Sequence, residues 1–159
     1  MTETASQEQQ APVFSIVTTY VKDLSLEVPN GPSLIYNGAS PQIDLKLNTQ
    51  ATVVGDGLFE VVVTSTVTAQ LPEQDNKVVF LIEARQAGVF QIRNVPEADL
   101  EPMLSVVCPN ILYPYLREVV SDASVRAGFT PVLLNPINFE ALYLQQQQQQ
   151  AQEQAGSTH

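Results

Sequence analysis

The sequence predicts an α+β fold: a four-stranded antiparallel sheet, meander-like with a long loop after strand 1, and two helices packed on one side. Three observations predict it. Apolar and polar residues alternate at Ile43, Leu45 and Leu47, and again between Leu58 and Ala69, the period of half-buried strands. Between Leu104 and Ala123 the period changes. Apolar residues there occupy 104, 107, 108, 111, 112, 115, 116, 119, 120 and 123, an i, i+3, i+4, i+7 stripe. All the strand patterns precede all the helix patterns, which is the order of an α+β domain.

The elements follow in turn. Phe14 to Leu26 alternates only in part and is the first strand. Val28 to Pro41 holds Pro29, Gly31, Pro32, Gly38 and Pro41 and reads as the long loop, yet it carries Leu34, Ile35 and Tyr36, which a merely solvated loop does not need. Ile43, Leu45 and Leu47 mark strand two, and Gly55-Asp56-Gly57 a hairpin turn. On strand three Phe59, Val61, Val63 and Val67 share one face and Thr64, Thr66 and Thr68 the other. Strand four sets Val78, Phe80, Ile82 and Ala84 against Val79, Leu81, Glu83 and Arg85, and the pattern breaks at Gly88. Val95 to Glu101 reads as a loop. The long helix ends near Gly128, a residue suited to the position just past a helix. A second helix starts at Asn138, a good N-cap, with a short apolar face of Phe139, Leu142 and Tyr143.

Residues 1–12 form an acidic, polar tail expected to be disordered. Residues 13–144 form the folded domain, and residues 145–159 a flexible Gln-rich tail in which six glutamines can prolong the second helix. Apolar residues make up 44% of the chain, enough for a real core. Seventeen acids face seven bases, for a net charge of −10. That balance argues against nucleic acid and against insertion into anionic membrane, and it suits a basic protein partner or plain solubility. The start of the chain is polar, without the apolar segment of a secretory signal, and no run approaches a membrane span. The reading is a cytoplasmic protein.

Little in the sequence points to catalysis. The single histidine is His159, at the terminus, and Cys108 stands alone in an apolar run without a metal-ligand pattern. Asp23 and Glu27 lie on one face of a strand, and nothing suggests the pocket that an acid–base pair needs. With Glu83 they form an acidic stripe instead. No enzymatic activity and no cofactor are expected. The apolar stripe from 104 to 123 is wider than one sheet requires and implies a homo-oligomer with the long helix in an interface.

Four segments, in this order, carry a resemblance: Lys22-Asp23-Leu24-Ser25-Leu26-Glu27-Val28-Pro29-Asn30, Phe80-Leu81-Ile82-Glu83, Cys108-Pro109-Asn110-Ile111-Leu112-Tyr113-Pro114-Tyr115, and Pro136-Ile137-Asn138-Phe139-Glu140-Ala141-Leu142-Tyr143. They resemble the SecB family of protein-export chaperones, over nearly all of Phe14 to Leu144. The resemblance implies a tetramer, a dimer of dimers, that binds unfolded precursor proteins, keeps them translocation-competent and delivers them to the SecA motor ATPase. It places the SecA contacts on Asp23, Glu27, Leu81 and Glu83, which would meet a basic segment of SecA. It places the client groove on Ile43, Leu45 and Leu47, with Leu34, Ile35 and Tyr36 of the loop and Phe139, Leu142 and Tyr143 of the second helix. The interface falls to Cys108, Ile111, Leu112, Tyr115, Leu116 and Val119. The chain departs from the family pattern in having no tryptophan near Ala39 and in carrying Arg85 and Ala87 where a more neutral pair is common. Two other readings remain open: a SecB-like chaperone dedicated to a toxin–antitoxin partner, and a small-molecule binding domain.

Overall fold

The computed structural model describes residues 10–35 and 40–157. Four strands, β1 (Val13–Glu27), β2 (Gln42–Gly55), β3 (Leu58–Leu71) and β4 (Lys77–Arg93), form one antiparallel sheet. The α+β class and the strand count agree with the sequence reading, but the connectivity is only partly a meander. β2, β3 and β4 follow one another by hairpins, and β1 lies beside β4 in the order β1-β4-β3-β2. That is a Greek-key arrangement, and it needs the long connection after β1. A short helix, α1 (Pro32–Ile35), lies in this connection, and Asn30 pins the segment by donating to the Val78 carbonyl at 2.7 Å.

The sheet has two unlike faces. On the inner face Val61, Val63, Val67 and Ala69 of β3, with Phe80, Ile82, Ala84 and Phe90 of β4, are buried. The outer face carries Thr64, Thr66 and Thr68 of β3 opposite Arg85, Glu83 and Leu81 of β4. β4 does not end at Gly88 as the sequence suggested. Gly88 is a close approach: a Cβ there would stand 2.8 Å from Leu112 Cδ2 and 2.9 Å from Phe90 Cε2. The missing side chain lets the long helix sit down on the sheet.

That helix also starts earlier than expected. Pro96 precedes α2 (Glu97–Pro102), which runs through a π-helical stretch, Met103–Val107, into α3 (Cys108–Arg126). The π turn has a local cause. Pro109 has no N–H, and its ring crowds the carbonyl four residues earlier, so the backbone widens just before it. Cys108 accordingly donates to Met103, five residues back. Pro114 lies inside α3. It sits on the exposed side, where solvent can satisfy the Asn110 carbonyl it leaves free. One row of α3 (Cys108, Leu112, Leu116, Val120 and Ala123) is buried against β3 and β4.

The helix ends in a Schellman motif. Gly128, at φ 90°, donates to Val125, and Phe129 donates to Ser124. The next segment runs back along α3. Ser124 Oγ accepts from the Val132 amide at 2.9 Å, and the Tyr113 hydroxyl donates to the Asn135 carbonyl. This path brings Asn138 to its cap position, where its side chain accepts from the Ala141 amide at 3.0 Å. The last helix, α4 (Phe139–Gly156), absorbs the glutamine run.

Candidate functional site

Two surfaces stand out, one on each side of the sheet. The first lies along the inner face of β2, an edge strand that α3 leaves uncovered. Side chains of alternate residues share a face, so Ile43, Leu45 and Leu47 line up there. Ile43 is exposed, and Leu45 and Leu47 are half-buried. Opposite them lies the returning segment after α3. Ile43, Leu45 and Phe80, with Phe129, Val132, Leu133 and Leu134, line an open groove of about 710 Å³. Farther along β2, Leu47 meets Phe139, Leu142 and Tyr143 of α4 around a narrow cleft of about 30 Å³.

The structure thus brings β2 and α4 together and adds a wall, residues 129–134, to which the sequence reading gave no part in the groove. Phe129, Val132, Leu133 and Leu134 were the available signal: four apolar residues between Gly128 and Pro136, in a segment with no regular period. Leu133 is 77% exposed and extends the apolar lining of the groove together with Phe129, Val132 and Leu134. Phe139 differs from the other residues assigned to the groove. It is buried in the core, edge-on to the Tyr113 ring at 5.6 Å, and so anchors α4. Leu34 and Ile35 fall in α1, and Tyr36 lies outside the described residues.

The second surface is the outer face. Asp23 stands opposite Arg85, Ser25 opposite Glu83, and Glu27 opposite Leu81 across the β1–β4 pair. Directly opposed residues share a face, so all four predicted contacts, Asp23, Glu27, Leu81 and Glu83, form one patch. Asp23 and Glu27 are exposed, and Leu81 and Glu83 are half-buried. The patch continues across the sheet through the threonines of β3 to Asp44 and Lys46 of β2. A bulge at Lys22 turns it onto the same face as Asp23. Its ammonium meets Glu60 at 2.6 Å, and the Tyr20 hydroxyl also donates to Glu60. These two donors hold the Glu60 carboxyl below its usual range, and the bond to Glu60 raises Tyr20 above its own. The sequence reading missed this trio, because only the strand order brings β1 close to β3.

The predicted interface residues divide. Cys108, Leu112 and Leu116 are enclosed by the chain's own sheet, and they support α3 without offering a surface. Burial pushes the Cys108 thiol up to about 12, so it stays an unreactive packing group. Ile111, Tyr115 and Val119 lie on the next row with exposed Val107, and Tyr115 is 49% exposed. A second uncovered apolar strip runs along the inner side of β1: Phe14, Ile16, Val21 and Leu24. Among the described residues, no group of acids, cysteines and histidines could hold a metal, and no helix is long and apolar enough to cross a membrane.

The comparisons with known proteins agree with one another. The model of the family described as SecB, preprotein translocase subunit SecB, matches residues 7–150. The protein-export protein SecB of Nitrosomonas eutropha is 57% identical over 146 residues, 92% of this chain and 91% of that protein. That of Methylobacillus flagellatus is 50% identical over 157 residues, 99% of this chain and 98% of that protein. Among solved structures, a SecB-like chaperone of Mycobacterium tuberculosis, in complex with an antitoxin peptide, superposes with a TM-score of 0.63 at 20% identity. It covers 78% of this chain and 90% of its own, and shows that the fold is shared. From the family match and these full-length relatives, the chain belongs to the SecB family of protein-export chaperones.

Proposed function

We propose that this chain is a cytoplasmic holdase without enzymatic activity. It holds unfolded precursors in the β2 groove and passes them to SecA through the outer face. The observation that carries this reading is the separation of the two surfaces. The groove is apolar and open, bounded by the inner side of β2 and the segment after α3. The acidic patch is on the opposite face of the same sheet. A client and the motor can therefore engage one subunit at the same time. An apolar groove beside a free strand edge accepts many sequences, because main-chain bonding and burial carry the binding without a sequence motif.

The working assembly is a tetramer, a dimer of dimers. Two separate apolar surfaces support it: the inner strip of β1 and the row Val107, Ile111, Tyr115 and Val119 of α3. Two kinds of interface are what a dimer of dimers needs.

The double variant Ile43→Asp, Leu45→Asp tests the groove. Its affinity for an unfolded precursor, by calorimetry, should fall roughly tenfold or more, about 1.4 kcal/mol, with the tetramer intact. Unchanged affinity would remove the groove from the mechanism. The relatives named for protein export, at 50% to 57% identity, favour this role over service to a single toxin–antitoxin pair.

A further inference from the structure

Arg85 sits inside the acidic patch. Its guanidinium is 3.9 Å from the Glu83 carboxylate, and Arg85 stands directly opposite Asp23 on the neighbouring strand. Two of the three acids assigned to SecA contact, Asp23 and Glu83, thus have the same cation as a neighbour. Lys22, the residue before Asp23, is already engaged by Glu60 at 2.6 Å. Lys46 stands two strands away, in the row Lys46–Thr66–Glu83. Arg93, eight residues farther along β4, pairs with Asp56 at 3.5 Å. Arg85 and Glu83 are both about half exposed, at 48% and 43% of their side-chain surface. Their pair is accessible to an incoming charge.

We propose that Arg85 is a built-in counter-ion that sets the affinity and salt response of the docking face. This rests on the reading of the outer face as the SecA docking surface. A basic partner segment that reaches Glu83 must displace Arg85 or share the carboxylate with it, and it meets the same guanidinium when it approaches Asp23. Docking then exchanges one exposed ion pair for another, a nearly balanced step. The gain from each new contact is small, and the complex stays easy to release. The effect is local. At physiological salt a charge acts over about 8 Å, which includes Glu83 and Asp23. Arg93, roughly 27 Å along the strand, is out of range.

The test is calorimetric titration of SecA onto the wild-type protein, Arg85→Gln, Arg85→Lys, Arg93→Gln and Glu83→Gln, at low and high salt. Arg85→Gln should tighten binding about two- to fivefold at low salt, and the gain should vanish near 1 M salt. Arg85→Lys, which keeps the charge, and Arg93→Gln, which removes a charge at a distance, should bind like the wild type. Glu83→Gln should bind more weakly. If Glu83→Gln weakens binding and Arg85→Gln does not tighten it, the counter-ion role fails and the docking surface stands. Equal tightening by Arg93→Gln would reduce the effect to net charge and also overturn the role. A Glu83→Gln variant that binds like the wild type would overturn the docking surface itself, and the proposal with it.

Discussion

At the scale of single residues, the outer face is governed by pairs. Glu60 is the best-held acid there, with Lys22 and Tyr20 both donating to it and only 15% of its side chain exposed. Its folded-state pKa is lowered from the ordinary 4.5. It therefore stabilises the fold fully above that value, and the contribution is lost as pH falls through the folded-state value. Glu60→Gln should lower stability to urea by about 1 to 2 kcal/mol at pH 7, and the two proteins should converge in acid. A constant difference across the pH range would show that the charge is not what matters. Gly88 acts by absence. Its lack of a side chain allows Leu112 to approach β4, and a methyl group there would push into both Leu112 and the Phe90 ring.

At the scale of elements, irregularities decide what the sequence could reveal. β2, β3 and most of β4 were legible because their alternation holds over long runs. Near the start of β4, however, a register slip between Ala69 and Gln70 buries Val79 beside Phe80, where simple alternation had put Val78. β1 was only half legible, because its register slips between Ile16 and Thr18 and again between Val21 and Asp23. Each slip shifts the phase, so the inner positions run 14, 16, then 19, 21, then 24, 26, and simple alternation fails. The partner of β1 is set by a long connection, which local pattern does not encode. Pro96 and Pro102 read as loop residues, yet one precedes a helix and the other closes its first segment. Asp23, Glu27, Leu81 and Glu83 fall on one face because Asp23 and Glu27 both lie beyond the second slip, where β1 alternates regularly against β4. The groove wall at 129–134 was missed because it has no period to detect. It is held by side-chain bonds from Ser124 and Tyr113 of α3, which only the folded structure displays. The same logic gives a prediction for α4. Phe139 is its one buried residue among those described. Phe139→Ala should cost about 3 to 5 kcal/mol at that site and speed amide exchange along 140–156. The amides of β3 and β4 should keep their protection. Equal loss of protection in the sheet would mean that α4 is part of the cooperative core.

At the scale of the molecule, the sheet separates an apolar groove from an acidic patch, and the helices leave apolar surface to spare. α3 spends one row on the sheet and leaves Val107, Ile111, Tyr115 and Val119 uncovered or only half-buried. Tyr115→Glu should shift the light-scattering mass from tetramer toward a smaller species, with the circular dichroism of the fold unchanged. A variant that remains a tetramer would move the interface off this row. The width of the long stripe from 104 to 123 was the sequence's clearest hint of assembly. Its division into a row spent inside the subunit and a row left outside depends on how α3 lies across β3 and β4.

The way α4 is mounted has a geometric result. It is 18 residues long, about 27 Å, and its buried contact is at the first residue. A rod clamped at its root magnifies motion: a tilt of about 15° at Phe139 displaces the far end by roughly 7 Å. The cleft beside Leu47 lies close to that root and the glutamines lie far from it. Widening the cleft by a side chain's width would therefore swing the glutamine-rich tip much farther than it moves the root.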